Sequence, residues 1–211
     1  MVEASRYPRS GNPDLGHPLL VEERAVRDEV MKIEATSLPG VLVLTPKIYR
    51  DDRGAFFETF NLRRMMEAGL PTQWVQDNFS VSQKNVLRGI HYQIMQPQGK
   101  LVRVTHGAVL DVAVDLRKSL PSFGKHVAVE LSGENGRMLW IPPGFGHAFL
   151  VLSEIAGFAY KVTDYYSPEG ERTIVWNDSE LGIKWPIAAG EAIVSEKDAK
   201  GKLLRDAEVF A

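Results

Sequence analysis

The chain contains no cysteine among its 211 residues. This absence excludes a disulfide framework, a metal site built from thiolates and a cysteine nucleophile. Any chemistry must therefore rest on other side chains.

The sequence also lacks a long apolar run and a strong charge of one sign. No stretch reaches the roughly 18 apolar residues of a membrane-spanning helix, and the N-terminus has no apolar signal-peptide core. The formal net charge is −2 and the pI is about 6.2, so no basic field favours nucleic acid. We expect a cytoplasmic protein without membrane or nucleic-acid partners.

The composition that remains is typical of one globular domain. Hydrophobic residues make up 44% and charged residues 25% of the chain, which is long enough to bury a full core. Residues 1–30 differ, with loop-forming Gly, Pro and Asn followed by a charged stretch at 22–30 that could form a short helix. We interpret 1–30 as an N-terminal extension, poorly ordered or lying on a neighbour, and 31–211 as a single domain.

From Met31 onward the sequence consists of short β-type segments separated by turn residues. Many short strands at near-regular spacing predict an all-β sandwich or barrel. The one convincing helix is short, Leu62 to Ala68, and is capped by Asn61. The strands are predicted over residues 41–49 with a break at Pro46, 55–60, 74–82, 86–94, 101–105, 108–115, 126–131, 137–141, 148–152 and 158–163.

The stretch 85–94 mixes apolar residues with Arg88, His91 and Gln93. On a strand, His91 and Gln93 share one face, like the wall of a polar pocket. Gly89 weakens a strand and suggests a bulge or the close approach of a ligand. Taken alone, however, the stretch favours a core histidine with one satisfied hydrogen bond.

The segment Pro142-Pro-Gly-Phe-Gly-His147 resembles the second motif of the cupin superfamily. Metal-binding cupins carry His-x-His in their first motif, whereas the corresponding place here reads His91-Tyr-Gln93. Two imidazoles without a third ligand make a poor site for Zn²⁺ or Fe²⁺, so a metal is disfavoured. The alternative for His147 is a turn residue that bonds a carbonyl.

Basic residues are usually exposed to solvent, and this is the plain interpretation of a set of five in this chain. The five are Arg53, Arg88, Lys100, Arg103 and Lys197. Arg53 differs because it lies in an Asp-Arg-Gly turn beside aromatic residues. A guanidinium next to an aromatic ring suits a nucleoside diphosphate.

Tyr160 lies on a predicted strand and could point inward. A buried tyrosine needs a partner for its hydroxyl or serves as a proton donor. A core tyrosine is the more common case.

Taken together, the motifs resemble the dTDP-4-dehydrorhamnose 3,5-epimerase family, also called dTDP-4-dehydro-6-deoxyglucose 3,5-epimerase, from about Met31 to the C-terminus. One departure is Tyr92, where the family often has Phe. The matching segments, in order, are residues 52–58, 76–80, 85–93, 98–103, 111–117, 140–147, 160–161, 165–168 and 195–198.

The resemblance implies a cupin-like jelly roll without metal or other cofactor, usually a homodimer that exchanges N-terminal strands. It implies a dTDP-sugar substrate and a place in dTDP-rhamnose biosynthesis for cell-envelope polysaccharide. The implied catalytic residues are the base His91, its orienting carboxylate Asp198, the acid Tyr160 and, beside the C4 oxygen, Lys100. The implied substrate-binding residues are Arg53, Phe56, Glu58, Gln76, Asn78, Arg88, His147, Tyr165, Glu171 and Lys197.

These residue types suit epimerisation beside a ketone. The C4 ketone acidifies the protons on C3 and C5, and an unperturbed imidazole titrates near neutral pH, as a base should. An aspartate fixes the tautomer of the imidazole, and a lysine stabilises the enolate oxygen. No redox step occurs, and no Gly-x-Gly-x-x-Gly fingerprint is present.

Three alternatives remain open at this point. An enzyme of the same fold could epimerise only C3 or C5, or isomerise the ketone. A metal-dependent cupin and a non-catalytic protein that binds sugar nucleotides are the other two.

Overall fold

The computed structural model describes residues 30–211. The predicted extension and its short helix lie outside this range, apart from Val30. Thirteen strands form within it: β1 (Met31–Ala35), β2 (Leu42–Pro46), β3 (Tyr49–Asp51), β4 (Gly54–Phe56), β5 (Gln76–Gln83), β6 (Leu87–Gln93), β7 (Lys100–His106), β8 (Ala108–Asp115), β9 (His126–Ser132), β10 (Met138–Ile141), β11 (Phe145–Val151), β12 (Ile155–Val162) and β13 (Glu171–Thr173). The helices are α1 (Leu62–Glu67), α2 (Glu196–Ala199) and two 3-10 turns, Ala189–Glu191 and Leu204–Asp206.

The strands form two large antiparallel sheets and one small hairpin. The six-stranded sheet has the order β1-β2-β10-β7-β12-β5, and the five-stranded sheet has the order β13-β6-β11-β8-β9. Neighbouring strands are mostly distant in sequence, because the chain crosses repeatedly from one sheet to the other. This arrangement is a jelly roll, which confirms the all-β fold predicted from the sequence.

The core lies between the two sheets, with a second apolar layer behind the five-stranded sheet. Val102, Phe149 and Phe158 belong to the inner cluster. Behind the sheet, Ile90 packs with Leu204 and other residues of the C-terminal segment. Strands β6, β8 and β11 are therefore covered on both faces, which explains their nearly continuous apolar sequence.

Strand β5 shows most clearly how one mouth of the barrel becomes polar. Its residues alternate between inward positions that are half-buried or buried and outward positions that are exposed. The inward residues are Gln76, Asn78, Ser80 and Ser82. Four polar side chains of this edge strand thus face the interior of the barrel.

Most predicted strands are confirmed, with differences at their ends. The predicted strand 55–60 stops at Phe56, because Glu58 accepts hydrogen bonds from Asn61 and Arg64 and so turns the chain into α1. The helix itself ends at Glu67, with Ala68 as its C-cap. None of the helices in residues 30–211 has the length and apolar character needed to span a bilayer.

Candidate active site

Strand β6 places His91 in direct contact with Asp198 of α2. The distance between His91 Nε2 and Asp198 Oδ1 is 2.6 Å, and Asp198 is only 2% exposed. Ser195 caps α2 by accepting a hydrogen bond from the Asp198 backbone N–H, which fixes where the carboxylate points. Burial acts to raise the pKa of Asp198, but the hydrogen bond and charge of His91 outweigh it and lower the pKa.

Gly89 allows β6 and β11 to approach each other closely beside this pair. Its φ of +115° favours glycine, and a Cβ there would lie 2.6 Å from the Cβ of Ala148. The register of the two strands shifts at this point, as in the predicted bulge. The close neighbour is therefore strand β11, while the Gly89 N–H donates to Asp198 Oδ2 at 3.4 Å.

His147 lies opposite His91 in the ladder between β11 and β6. The turn interpretation of His147 is wrong, because β11 begins at Phe145 and the ring lies within the strand. Its Nε2 is 2.9 Å from Oδ2 of Asp111, and its ring stacks on Phe158 at a centroid distance of 5.9 Å. Burial lowers the pKa of His147, with Lys100 and His91 adding to the effect and Asp111 opposing it.

Tyr160 approaches the same mouth from the six-stranded sheet. On β12 it is paired with Asn78 of β5 and Val102 of β7, and its ring lies 6.1 Å from that of Phe158. Burial raises the pKa of Tyr160, Arg88 opposes this and Glu171 adds to it. The phenol therefore keeps its proton at neutral pH and remains a competent donor.

Lys100 begins β7 at the same end of the barrel. Burial lowers its pKa to about 8, although Asp111 and Glu171 act to raise it, and Lys197 lowers it further. The side chain is thus mainly an ammonium at neutral pH. Lys100 supplies a cation in a partly desolvated place, where an electrostatic contact is worth more than in water.

A cavity of about 400 Å³ opens directly beside His91. It is also bordered by Arg88, Lys197 and Asp198. Arg88 donates from Nε to Ser82 Oγ at 3.1 Å. The two cations give this cavity an electrostatic preference for an anion.

Glu171 links several groups at this mouth. It pairs with Lys197 at 2.5 Å and accepts a hydrogen bond from the Tyr166 hydroxyl at 2.8 Å. Burial would raise the pKa of Glu171, but these two partners lower it. Nearby, Gln76 donates to Asn78 at 2.7 Å and its side-chain oxygen accepts from the Tyr166 backbone N–H.

The structure brings ten of the predicted site residues to this mouth of the barrel, through the contacts and electrostatic neighbours just given. They are Gln76, Asn78, Arg88, His91, Lys100, His147, Tyr160, Glu171, Lys197 and Asp198.

Arg53 and Phe56 lie elsewhere, on the exposed β3–β4 hairpin. The side chain of Arg53 is 90% exposed and pairs with Asp51, and Phe56 is 74% exposed. Both line a cavity of about 460 Å³, to which residues 49–56 alone contribute in the part of the chain that the structure describes. Within one chain, the predicted diphosphate or sugar contact Arg53 and the predicted nucleoside contact Phe56 are thus separate from the cavity beside His91.

Glu58 and Tyr165 also have contacts that the sequence did not predict. Glu58 is held by Asn61 and Arg64 beside α1. Tyr165 is 60% exposed, and its backbone carbonyl accepts a hydrogen bond from the buried side chain of Gln93. The side chain of Gln93 therefore anchors the loop before β13 instead of lining an open pocket.

Sequence reasoning missed Asp111, Ser195 and Tyr166. An aspartate inside the apolar run 109–114 was a usable signal for Asp111, because a buried carboxylate needs a partner. Ser195 stands three residues before Asp198, the spacing of an N-cap. Tyr166 could not be separated from its neighbour Tyr165 by any local pattern.

Histidine and carboxylate groups are paired two by two at this site. In the described part of the chain, no group of three or more such residues is arranged to hold a metal ion.

The family model described as dTDP-4-dehydrorhamnose 3,5-epimerase matches residues 35–206. The dTDP-4-dehydrorhamnose 3,5-epimerase of Pseudomonas aeruginosa is 54% identical over 181 residues, which are 85% of this chain and 99% of that protein. The enzyme of the same name from Salmonella typhimurium is 51% identical over 180 residues, which are 84% of this chain and 98% of that protein.

Among solved structures, the chain is similar to dTDP-6-deoxy-D-glucose-3,5-epimerase from Legionella pneumophila, in complex with dTDP-4-keto-L-rhamnose. The TM-score is 0.81 at 52% sequence identity, and the match covers 84% of this chain and 95% of that one.

Proposed function

The chain belongs to the dTDP-4-dehydrorhamnose 3,5-epimerase family, and we propose that the polar mouth of its barrel carries out that reaction. The enzyme is an epimerase that inverts C3 and C5 of dTDP-4-dehydro-6-deoxy-D-glucose to give dTDP-4-dehydro-L-rhamnose. The observation that carries the proposal for the site is the 2.6 Å contact of His91 with buried Asp198, on the sheet opposite Tyr160.

His91 acts as the general base. With its Nε2–H donated to Asp198, the ring presents Nδ1 as the nitrogen that takes the proton from the carbon next to the ketone. The buried carboxylate then faces the imidazolium that forms and stabilises its charge. Asp198 thus fixes both the tautomer and the plane of the ring.

Lys100 stabilises the enolate. Loss of the proton leaves negative charge on the C4 oxygen, and a preorganised cation there is typically the largest single contribution to such a step. The pKa of about 8 keeps Lys100 cationic at neutral pH while its desolvation strengthens the contact.

Tyr160 returns a proton from the opposite face of the sugar. It belongs to the six-stranded sheet and His91 to the five-stranded sheet, so a ring held between them meets one group on each side. The electron pair of the broken C–H bond, held in the enolate, forms a new C–H bond with the phenolic proton. Because this proton arrives on the opposite face, the stereocentre is inverted. Solvent then takes the proton from the His91 imidazolium and returns one to the Tyr160 phenolate before the second carbon reacts.

The nucleotide end is bound in two parts. Arg88 and Lys197 border the cavity beside His91 and serve the diphosphate. Gln76 and Asn78 serve the sugar and diphosphate, and Glu171 and Tyr165 serve the nucleoside. His147 lines the pocket but does not act as an acid or base, because its Nε2 is engaged by Asp111.

A homodimer with exchanged N-terminal strands supplies the rest of the nucleoside site. Within residues 30–211, strand β1 is an edge strand that pairs only with β2, and such an edge is a template for another chain. On the outer face of β5, Phe79 and Val81 are 63% and 55% exposed, which suits an interface. The exchange would carry Arg53 and Phe56 from the exposed hairpin to the partner's cavity.

We further propose that residues 31–211 act as one domain in the cytoplasm. The two sheets share one core, and the substrate of the family is a nucleotide sugar.

Incubation with dTDP-4-dehydro-6-deoxy-D-glucose in D₂O, followed by proton NMR, tests the function. We expect deuterium at both C3 and C5 and a product that a rhamnose-forming reductase accepts. Deuterium at one carbon alone would indicate a single-centre epimerase. Movement of the carbonyl would indicate a ketoisomerase, and binding without exchange would indicate a non-catalytic protein.

A further inference from the structure

Strand β13 has the least support of the strands at the polar mouth of the barrel, although it carries Glu171. It has three residues, and in the described part of the chain it pairs only with β6. Glu171 nonetheless makes two specific contacts, with Lys197 at 2.5 Å and with the Tyr166 hydroxyl at 2.8 Å. A short edge strand with few contacts is easily displaced, so the position of Glu171 depends on the loop that precedes it.

The buried side chain of Gln93 holds this loop, residues 163–170. Gln93 is 5% exposed, and its Oε1 accepts a hydrogen bond from the Ser167 N–H at 3.0 Å. Its Nε2 donates to the carbonyl oxygens of Tyr165 at 3.2 Å and Gln96 at 2.8 Å. These three hydrogen bonds, the Gln93 clamp, join the loop before β13 to the loop before β7.

Ser167 passes the restraint on to Glu171. Ser167 is buried, and both its carbonyl oxygen and its Oγ accept from the Gly170 N–H, at 3.1 and 3.3 Å. The carbonyl oxygen of Gly170 accepts in turn from the Ile94 N–H at 2.8 Å, and Glu171 is the next residue. A continuous set of hydrogen bonds thus connects the Gln93 amide to the backbone beside Glu171.

The groups proposed for proton transfer do not depend on the Gln93 clamp. Lys100 follows the clamped loop, but it is paired in the ladders with Ile141 of β10 and Val162 of β12. His91 and Asp198 are joined directly, at 2.6 Å. Loss of the clamp should therefore displace the nucleoside end of the site and leave these groups in place.

We propose that Gln93 is a positioning residue for nucleotide binding: its clamp holds Glu171 and Tyr165 where the nucleoside of a dTDP-sugar binds. The inference deepens the proposed function, on which the nucleoside role of these two residues rests. Gln93 itself does not touch the substrate, because backbone groups occupy both ends of its amide. Without the clamp, the loop would hold the binding position for only a fraction of the time, and the apparent affinity would fall by that fraction.

Binding of dTDP to Gln93→Met, measured by calorimetry, tests the proposal without turnover. Methionine has nearly the same shape as glutamine, but it cannot donate a hydrogen bond and accepts only weakly. We expect the Kd for dTDP to rise by about 5- to 10-fold, the change that corresponds to about one net hydrogen bond. The KM for the dTDP-sugar should rise by a similar factor while kcat falls by less than about 2-fold, because saturating substrate restores the loop.

Asn135→Leu is the matched control, because Asn135 is another side-chain amide with three hydrogen bonds to backbone groups. Its Oδ1 accepts from the N–H groups of Ser132 and Arg137, and its Nδ2 donates to the carbonyl oxygen of Glu130. It lies in the turn between β9 and β10, at the end of β10 that is remote from Lys100. The control should lose comparable stability and keep its affinity for dTDP.

Gly170→Ala is a second test, which leaves Gln93 intact. A Cβ at Gly170 would lie 2.8 Å from the backbone oxygen of Met95, so the loop must shift, and the Kd for dTDP should again rise. If Gln93→Met folds poorly, Gly170→Ala replaces it.

An unchanged affinity for dTDP in the folded variant, or a loss in kcat larger than the rise in KM, would overturn the proposal. If the variant loses affinity as expected but the wild type exchanges no deuterium into the substrate, the proposed function fails while the role of the Gln93 clamp in nucleotide binding stands.

Discussion

Replacing Asp198 by asparagine separates the orienting carboxylate from the base it serves. The carboxylate is 2% exposed and accepts from His91 at 2.6 Å and from the Gly89 N–H at 3.4 Å. A charge-assisted hydrogen bond of this kind is worth about 1.5–3 kcal/mol. Loss of this hydrogen bond from the transition state should lower kcat by about 10- to 150-fold. The loss approaches about 10⁴-fold if the amide selects the wrong tautomer of His91.

The same change should destabilise the fold, because asparagine offers one carbonyl oxygen where aspartate offers two acceptors. One N–H is left unsatisfied, at a cost of about 1–3 kcal/mol in the free energy of unfolding. Asp178→Asn is the control: Asp178 is 5% exposed and accepts from the backbone N–H of Leu204 and Glu180, away from the proposed site. It should lose similar stability but keep its kcat. The reasoning is refuted if Asp198→Asn, measured folded and saturated with substrate, turns over at the wild-type rate.

Three further predictions concern metal, nucleotide and assembly. Turnover should survive exhaustive chelation, because His91 and His147 are each engaged by a carboxylate; loss with EDTA and recovery with Zn²⁺ or Fe²⁺ would show a metal enzyme. Arg53→Ala should weaken binding of dTDP, measured by calorimetry, by about 1.5–3 kcal/mol, and an unchanged affinity would remove Arg53 from the site. Refolding Arg53→Ala together with His91→Ala should restore part of the activity at low substrate, since a dimer with one chain of each kind has one intact site; no gain over the separate variants would contradict an exchanged dimer.

The sequence predicted the face of β6 that carries His91, because strand alternation and neighbouring apolar residues determine it together. Ile90, on the opposite face, does pack in the apolar layer behind the sheet. The short helix was equally readable, since Asn61 is a local N-cap signal.

The pairing of residues distant in the chain could not be derived from local patterns. His91 and Asp198 meet only because α2 folds over the end of β6, and periodicity carries no information about that contact. The resemblance supplied Asp198, whereas Asp111 was missed because the ladder between β8 and β11 places it beside His147. Arg53 shows the opposite case, a residue of suitable chemistry that one chain leaves far from the cavity it was predicted to serve.

His91 and Tyr160 are proposed to act on opposite faces of the sugar, and deuterium uptake into the substrate distinguishes their roles. In His91→Ala no enolate forms, so neither C3 nor C5 should exchange with D₂O, and turnover should fall by about 10²–10⁴-fold. In Tyr160→Phe the ring still packs against Phe158, but the phenolic proton is gone.

Proton NMR of the substrate with each variant in D₂O, coupled to a rhamnose-forming reductase, reports exchange and inversion together. We expect Tyr160→Phe to incorporate deuterium with little inversion, because His91 can remove a proton and return a solvent-derived one to the same face. Inversion of both centres by Tyr160→Phe at the wild-type rate, or full-speed exchange by His91→Ala, would contradict these roles.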